Sequence, residues 1–82
     1  MTPAEENIKI RFFQALDFLK EQKIIQGIGT FCKEYNLDRA RLSKIKNNLY
    51  GFHTIEAVWV AYLADYGISA NWIITGKGSI LN

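Results

Sequence analysis

Cysteine is almost missing from this chain: Cys32 stands alone among 82 residues, so no intramolecular disulfide can form. A disulfide-stapled secreted scaffold is therefore excluded, and the expected compartment is a reducing cytoplasm. Proline occurs once and glycine six times, with no Pro/Gly/Ser-rich tract, repeat or low-complexity segment to divide the sequence. One domain over residues 1–82 is expected. No apolar run approaches the roughly 20 residues that a spanning helix needs, and the acidic start Met1-Thr-Pro-Ala-Glu-Glu6 does not read as a signal peptide. A soluble protein without membrane attachment is expected. His53 is the sole histidine, so with one Cys and scattered carboxylates no metal site or cofactor is anticipated. Strand-like alternation is also missing, which leaves helices.

What is present is a core. The chain is 49% hydrophobic and carries eleven aromatics, yet its length is near the lower limit for burying enough apolar surface alone. Burial against a partner is therefore anticipated. The net charge of +2 points to no partner, but its distribution is uneven. From Lys33 to Asn48 five bases (Lys33, Arg39, Arg41, Lys44, Lys46) face two acids, for +3, leaving −1 for the rest of the chain. Four of these bases fall between Arg39 and Lys46 without an acid, creating a local positive field.

The helices are legible from caps and spacing. Thr2, Pro3 and Glu5 form a capping-box start, followed by Ile8, Phe12, Ala15, Leu16 and Leu19 at helical intervals to about Gln22. Ile10, Phe13 and Phe18 fall off this stripe and are expected to meet other helices or a second subunit. Gly27 and Gly29 precede a short helix with Ile28, Phe31, Cys32 and Tyr35, which Asn36 ends. Leu37 tucks inward and Asp38 caps a third helix, about Arg39 to Asn48, buried through Leu42, Ile45 and Leu49. After the Tyr50-Gly-Phe-His53 turn, Thr54 is expected to cap a fourth helix with the stripe Ile55, Val58, Trp59, Tyr62, Leu63 and Tyr66, stopped by Gly67. Ser69 caps a last helix, Ala70 to Thr75, closed by Gly76, and residues 77–82 read as a tail.

Residues 28–47 carry a helix-turn-helix pattern: Phe31, Tyr35, Leu37, Leu42 and Ile45 at apolar positions, small Cys32 where the two helices cross, and turn-tolerant Asn36. Opposite the buried stripe of the third helix lie Ala40, Ser43, Lys44 and Asn47, flanked by Arg39 and Lys46 on one side and by Arg41 and Asn48 on the other. A major groove about 12 Å wide admits a helix whose exposed face has little bulk, which Ala40 and Ser43 provide. Arg39 and Lys44 are the candidate donors to guanine O6 and N7. Arg41, Lys46, Asn47 and Asn48 are candidate phosphate contacts, as are Tyr50 and His53 in the following turn.

With these residues the chain resembles the lambda-repressor-like, Cro-type (XRE) helix-turn-helix family, a five-helix all-α bundle. The resemblance covers nearly the whole chain. A second motif, Ser69-Ala-Asn-Trp-Ile-Ile-Thr-Gly-Lys-Gly78, is similar to the ending of the fifth helix in many of its phage-repressor-like members, especially those from Bacteroidetes. The resemblance implies operator binding as a homodimer, with the third helix in the major groove and the region of the fourth and fifth helices near the subunit contact. It also places Arg39, Ala40 and Lys44 toward bases. Two departures stand out. Ile28 occupies a position where the family often has a phosphate-binding Gln, and Ala40 offers only apolar contact, such as to a thymine methyl.

Other constellations have simpler explanations. Cys32 and His53 are a helix-crossing residue and a turn residue rather than a nucleophile and base. Thr75-Gly-Lys-Gly-Ser79 lacks the leading Gly and the strand of a phosphate loop. Trp59 and Trp72 fall at core spacing. The expected function is sequence-specific binding of double-stranded DNA by a phage- or prophage-type transcriptional repressor, with no catalytic activity, cofactor or small-molecule substrate. The alternative is a helical protein–protein interaction or dimerisation module, and the chain could also be the DNA-binding part of a longer repressor.

Overall fold

Thr2 opens the first helix as its sequence requires. Its Oγ1 accepts the Glu5 N–H at 3.2 Å, while Glu5 Oε1 accepts the Thr2 N–H at 3.2 Å, so two donors at the helix start are satisfied reciprocally. In the computed structural model, which describes residues 2–82, five helices follow in order: α1 Pro3–Glu21, α2 Ile28–Tyr35, α3 Arg39–Asn47, α4 Ala57–Ala64 and α5 Ala70–Thr75. The described residues contain no strand beyond one isolated bridge, and none of their helices is long and apolar enough to cross a membrane. Met1, the first residue of the acidic start, lies outside the described residues.

The core is built around α1. Phe12, Ala15 and Leu19 have no exposed surface, and Phe13 and Leu16 are almost as buried. The Phe12 ring lies edge-on to Phe13 (5.1 Å) and Phe31 (6.0 Å) and 6.1 Å from Trp59, tying α1 to α2 and α4 through one aromatic cluster. Phe13 and Phe18 thus find their contacts within the chain, and neither requires a second subunit. The polar side of α1 is also engaged. Arg11 donates from Nε to the Ile73 carbonyl (2.7 Å) and from Nη2 to the Ile74 carbonyl (3.0 Å), placing a cation at the negative end of α5. Gly76 ends that helix at φ 75°, and a Cβ there would come 2.9 Å from Arg11 Nη1.

Asn36 turns the chain between α2 and α3 in the left-handed conformation, φ 56° and ψ 48°. The Leu37 N–H donates to the Cys32 carbonyl at 2.8 Å, and Asp38 Oδ1 accepts the Ala40 N–H at 3.0 Å, capping α3. Cys32 is buried at the crossing, and Leu42 and Ile45 anchor α3 to the core.

Three expectations are corrected. Thr54 does not cap α4: residues 53–56 are not helical, and Glu56, in an extended conformation, is the N-cap, without a side-chain bond. Lys9 binds the His53 carbonyl, and Ile55 reaches the core from this non-helical stretch. The buried face of α4 is accordingly Trp59, Val60 and Leu63, and Val58, expected inside, is 45% exposed. The end of the chain is not a free tail either. Gly76 and Gly78, both at positive φ, turn it back so that Leu81 bridges Ile68, the Ser69 N–H donates to the Ile80 carbonyl (2.8 Å) and the Asn82 N–H to the Gly67 carbonyl (2.9 Å).

Tyrosines seal the α2–α4 contact. Tyr35 stacks on Tyr62 with centroids 4.2 Å apart, and its hydroxyl donates to Asp65 Oδ2 at 2.9 Å. Burial, reinforced by that carboxylate, pushes the Tyr35 hydroxyl from its ordinary value of 10.0 up to about 12. Below pH 10 both folded and unfolded chains keep this proton; between pH 10 and about 12 the unfolded chain loses it first, so stability falls with rising pH. Urea midpoints measured across that window are expected to decline less steeply for Tyr35→Phe than for the parent. Equal slopes would contradict this.

Candidate nucleic-acid interface

Capping by Asp38 and anchoring by Leu42 and Ile45 fix the rotation of α3 about its axis, and that rotation decides what faces outward. Arg39, Ala40, Lys44, Asn47 and Asn48 are exposed and Ser43 is half-buried. The small, polar outer side expected of α3 is therefore uncovered in the single chain. Lys44 forms no ion pair among the described residues and extends from the middle of this face.

The other cations are not equivalent. Arg41 Nη1 lies 2.7 Å from Glu56 Oε2, and the guanidinium sits 5.1 Å from the centre of the Trp59 ring, so this side chain bridges α3 to the start of α4. The Arg39 guanidinium rests over Gly29 at the start of α2, where a Cβ would lie 3.4 Å from its Nη1. Lys46 Nζ is 3.8 Å from Asp17 Oδ1 of α1, a loose and half-exposed pair. Arg39 and Lys46 both line a surface groove of about 570 Å³, bounded by α1, the α2 start and α3. Lys20 and Lys33 join them in lining it, with Asp17 as the one acid. Gly27, the N-cap of α2, supplies no side-chain cap, and the groove reaches the first backbone N–H groups of that helix. The groove combines donors and positive charge, the pair of properties that attracts phosphate oxygen.

Tyr50 and His53 are both exposed in the loop after α3, Tyr50 by 72%. The loop itself is held from beneath. Lys9 of α1 has no exposed surface, and its Nζ donates to the His53 carbonyl (2.7 Å) and the Gly51 carbonyl (3.2 Å). Sequence reasoning missed this residue, although Lys9 lies three, four and seven positions before Phe12, Phe13 and Leu16 and so on the buried stripe of α1. Phe52, between the two bound carbonyls, is 92% exposed.

A second, apolar groove of about 490 Å³ lies between α4, α5 and the first turns of α1, lined by Ile8, Ile55, Val60, Ala61, Ala70 and Ile74. Ile74 is half exposed at its edge.

No protein-family model matches this chain, and comparison with curated proteins and with solved structures likewise gives no match.

The division between engaged and free cations is measurable. Arg41→Gln is expected to lower stability by about 1 kcal/mol or less, because the ion pair and ring contact are half exposed, while Lys44→Gln stays within about 0.5 kcal/mol of the parent. Urea denaturation of both variants checks this, and an equal loss in the two would refute it.

Proposed function

We propose that the chain is a double-stranded DNA-binding domain of lambda-repressor-like type, in which α2 and α3 act as a helix-turn-helix and α3 enters the major groove. One observation carries this reading: an exposed α3 face of small and basic residues, Ala40, Ser43 and Lys44, flanked by a cation-lined groove at the start of α2. Lys44 is the leading base-reading residue, with Ala40 and Ser43 leaving room for the base edges. Arg39, leaning on Gly29, is equally placed for a phosphate at the groove and for the edge of a base beside Ala40. Lys46, Asn47 and Asn48 set affinity and register against the phosphates, and Arg41 joins them by exchanging its exposed pair with Glu56 for a phosphate oxygen.

The apolar groove at α4 and α5 supports a homodimer. An isologous pair buries the same patch on both subunits and sets two α3 helices toward half-sites about 34 Å apart on one face of the duplex. A domain of this design needs no catalytic residue, and its biological role would be that of a transcriptional repressor of phage or prophage type.

Fluorescence anisotropy of labelled duplex DNA, titrated with salt, tests the reading. Binding is expected to weaken steeply as salt rises, and Lys46→Ala to reduce the log–log slope by about one. Absence of binding at low salt would leave the helical protein-interaction alternative in its place. Analytical ultracentrifugation tests the dimer: Ile74→Asp, at the groove edge, is expected to leave only monomer and to weaken binding to duplexes carrying two half-sites. A parent chain that stays monomeric on such a duplex would overturn the dimer.

A further inference from the structure

The most exposed large hydrophobic side chain among the described residues sits on a loop tied to α1. Phe52 is 92% exposed, while the carbonyls immediately before and after it, of Gly51 and His53, are both bound by the buried Lys9 ammonium. The Gly51 N–H donates to the Asn48 carbonyl at 3.0 Å, tying the same loop to the end of α3. A slack loop would let the ring fold onto nearby apolar surface. Here the backbone on both sides is fixed, so the ring is held out in water, and ordering it costs little when something covers it.

What covers it is indicated by the charge of the stretch that carries it. From Arg39 to Ile55 there is no acidic residue, and Phe52 follows Lys44, Lys46, Asn47 and Asn48 in that stretch. The partner is therefore anionic, yet must offer an apolar surface to a phenyl ring. Duplex DNA has both properties, since its phosphate ridges flank sugars and base edges. With α3 in the major groove, the loop at its end meets a phosphate ridge, and beyond that ridge lies the minor groove.

We propose that Phe52 is an apolar wedge that enters the minor groove beside the α3 site and partly unstacks a base step, with Lys9 as the residue that positions it. This rests on the DNA-binding reading of α3. Pyrimidine–purine steps such as TA would be favoured at that position, because they unstack most easily. The wedge thereby adds a sequence preference outside the bases that α3 faces.

The full chain is titrated with TA-rich duplexes carrying 2-aminopurine at successive positions. Parent protein is expected to raise the fluorescence of one reporter as its base unstacks. Phe52→Ala should bind about tenfold more weakly, abolish that rise and leave the salt slope unchanged, while Phe52→Leu keeps most of both. Lys9→Met, where circular dichroism shows it folded, should bind with a diminished rise; the two Phe52 variants decide the matter if it does not fold. Unaltered affinity and fluorescence in Phe52→Ala would overturn the wedge while leaving the α3 reading intact. A parent chain that binds no duplex would remove both. If Phe52→Ala changes self-association instead of DNA affinity, the ring is a contact between copies and the wedge is wrong.

Discussion

Phe12 has no exposed surface and is surrounded by the rings of Phe13, Phe31 and Trp59, which come from α1 itself, α2 and α4. A chain of 82 residues must obtain its core from few side chains, and a single large ring in contact with three others buries more area per residue than aliphatic packing would. Because that cluster lies on α1, the other helices are positioned by how they reach it. Phe31 brings in α2, Cys32 beside it admits α3 through Leu42 and Ile45, and the outward face of α3 is whatever that packing leaves over. The exposed residues of α3 are thus a consequence of the aromatic core.

The polar side chains of α1 extend the same role. Lys9 and Arg11, two residues apart, reach carbonyls more than forty positions away in sequence, one in the α3–α4 loop and the other at the end of α5. Neither acceptor is a carboxylate. Carbonyl oxygens stabilise a cation without the second desolvated charge that a buried ion pair needs. Removing either donor would leave partly exposed carbonyls without their partner, at a cost toward the low end of the about 1–3 kcal/mol typical of an unsatisfied acceptor. The loop carrying Tyr50, Phe52 and His53 is therefore tied to α1.

Local chemistry made most of the helix boundaries legible. Thr2, Asn36, Asp38, Ser69 and Gly76 act within one turn of themselves, and each occupies the cap or turn that its residue type favours. What stayed hidden depends on distant partners. The Thr54 hydroxyl suggests a cap, but the non-helical backbone before it is held by Lys9, 44 positions from His53. Val58 was misplaced because α4, Ala57–Ala64, contains no charged residue to mark its outer side, so spacing alone could not orient it. The closing bridge between Ile68 and Leu81 depends on two glycine turns that composition suggests but cannot aim. Of the candidate site, the outward side of α3 followed from periodicity. The attachment of Arg41 to Glu56 and Trp59, and of Arg39 to Gly29, did not, because long side chains choose their partners in three dimensions.

Those attachments bear on how a surface of this kind would meet a polyanion. An exposed ion pair such as Arg41–Glu56 contributes about 0–1 kcal/mol, less than a charge-assisted bond to phosphate in a partly dried interface. Arg41 can therefore be held in one conformation in the free chain and change partners on binding without much loss, and having been ordered already it loses less entropy than a freely moving lysine. Lys46, at 3.8 Å from Asp17, is held more loosely, and Lys44 is not held by any acid among the described residues. The two arginines are thus oriented in advance at the edges of the surface, while Lys44 is the less constrained cation between them. Under the DNA-binding reading, register comes from the rigid margins of α3 and discrimination from its less constrained centre.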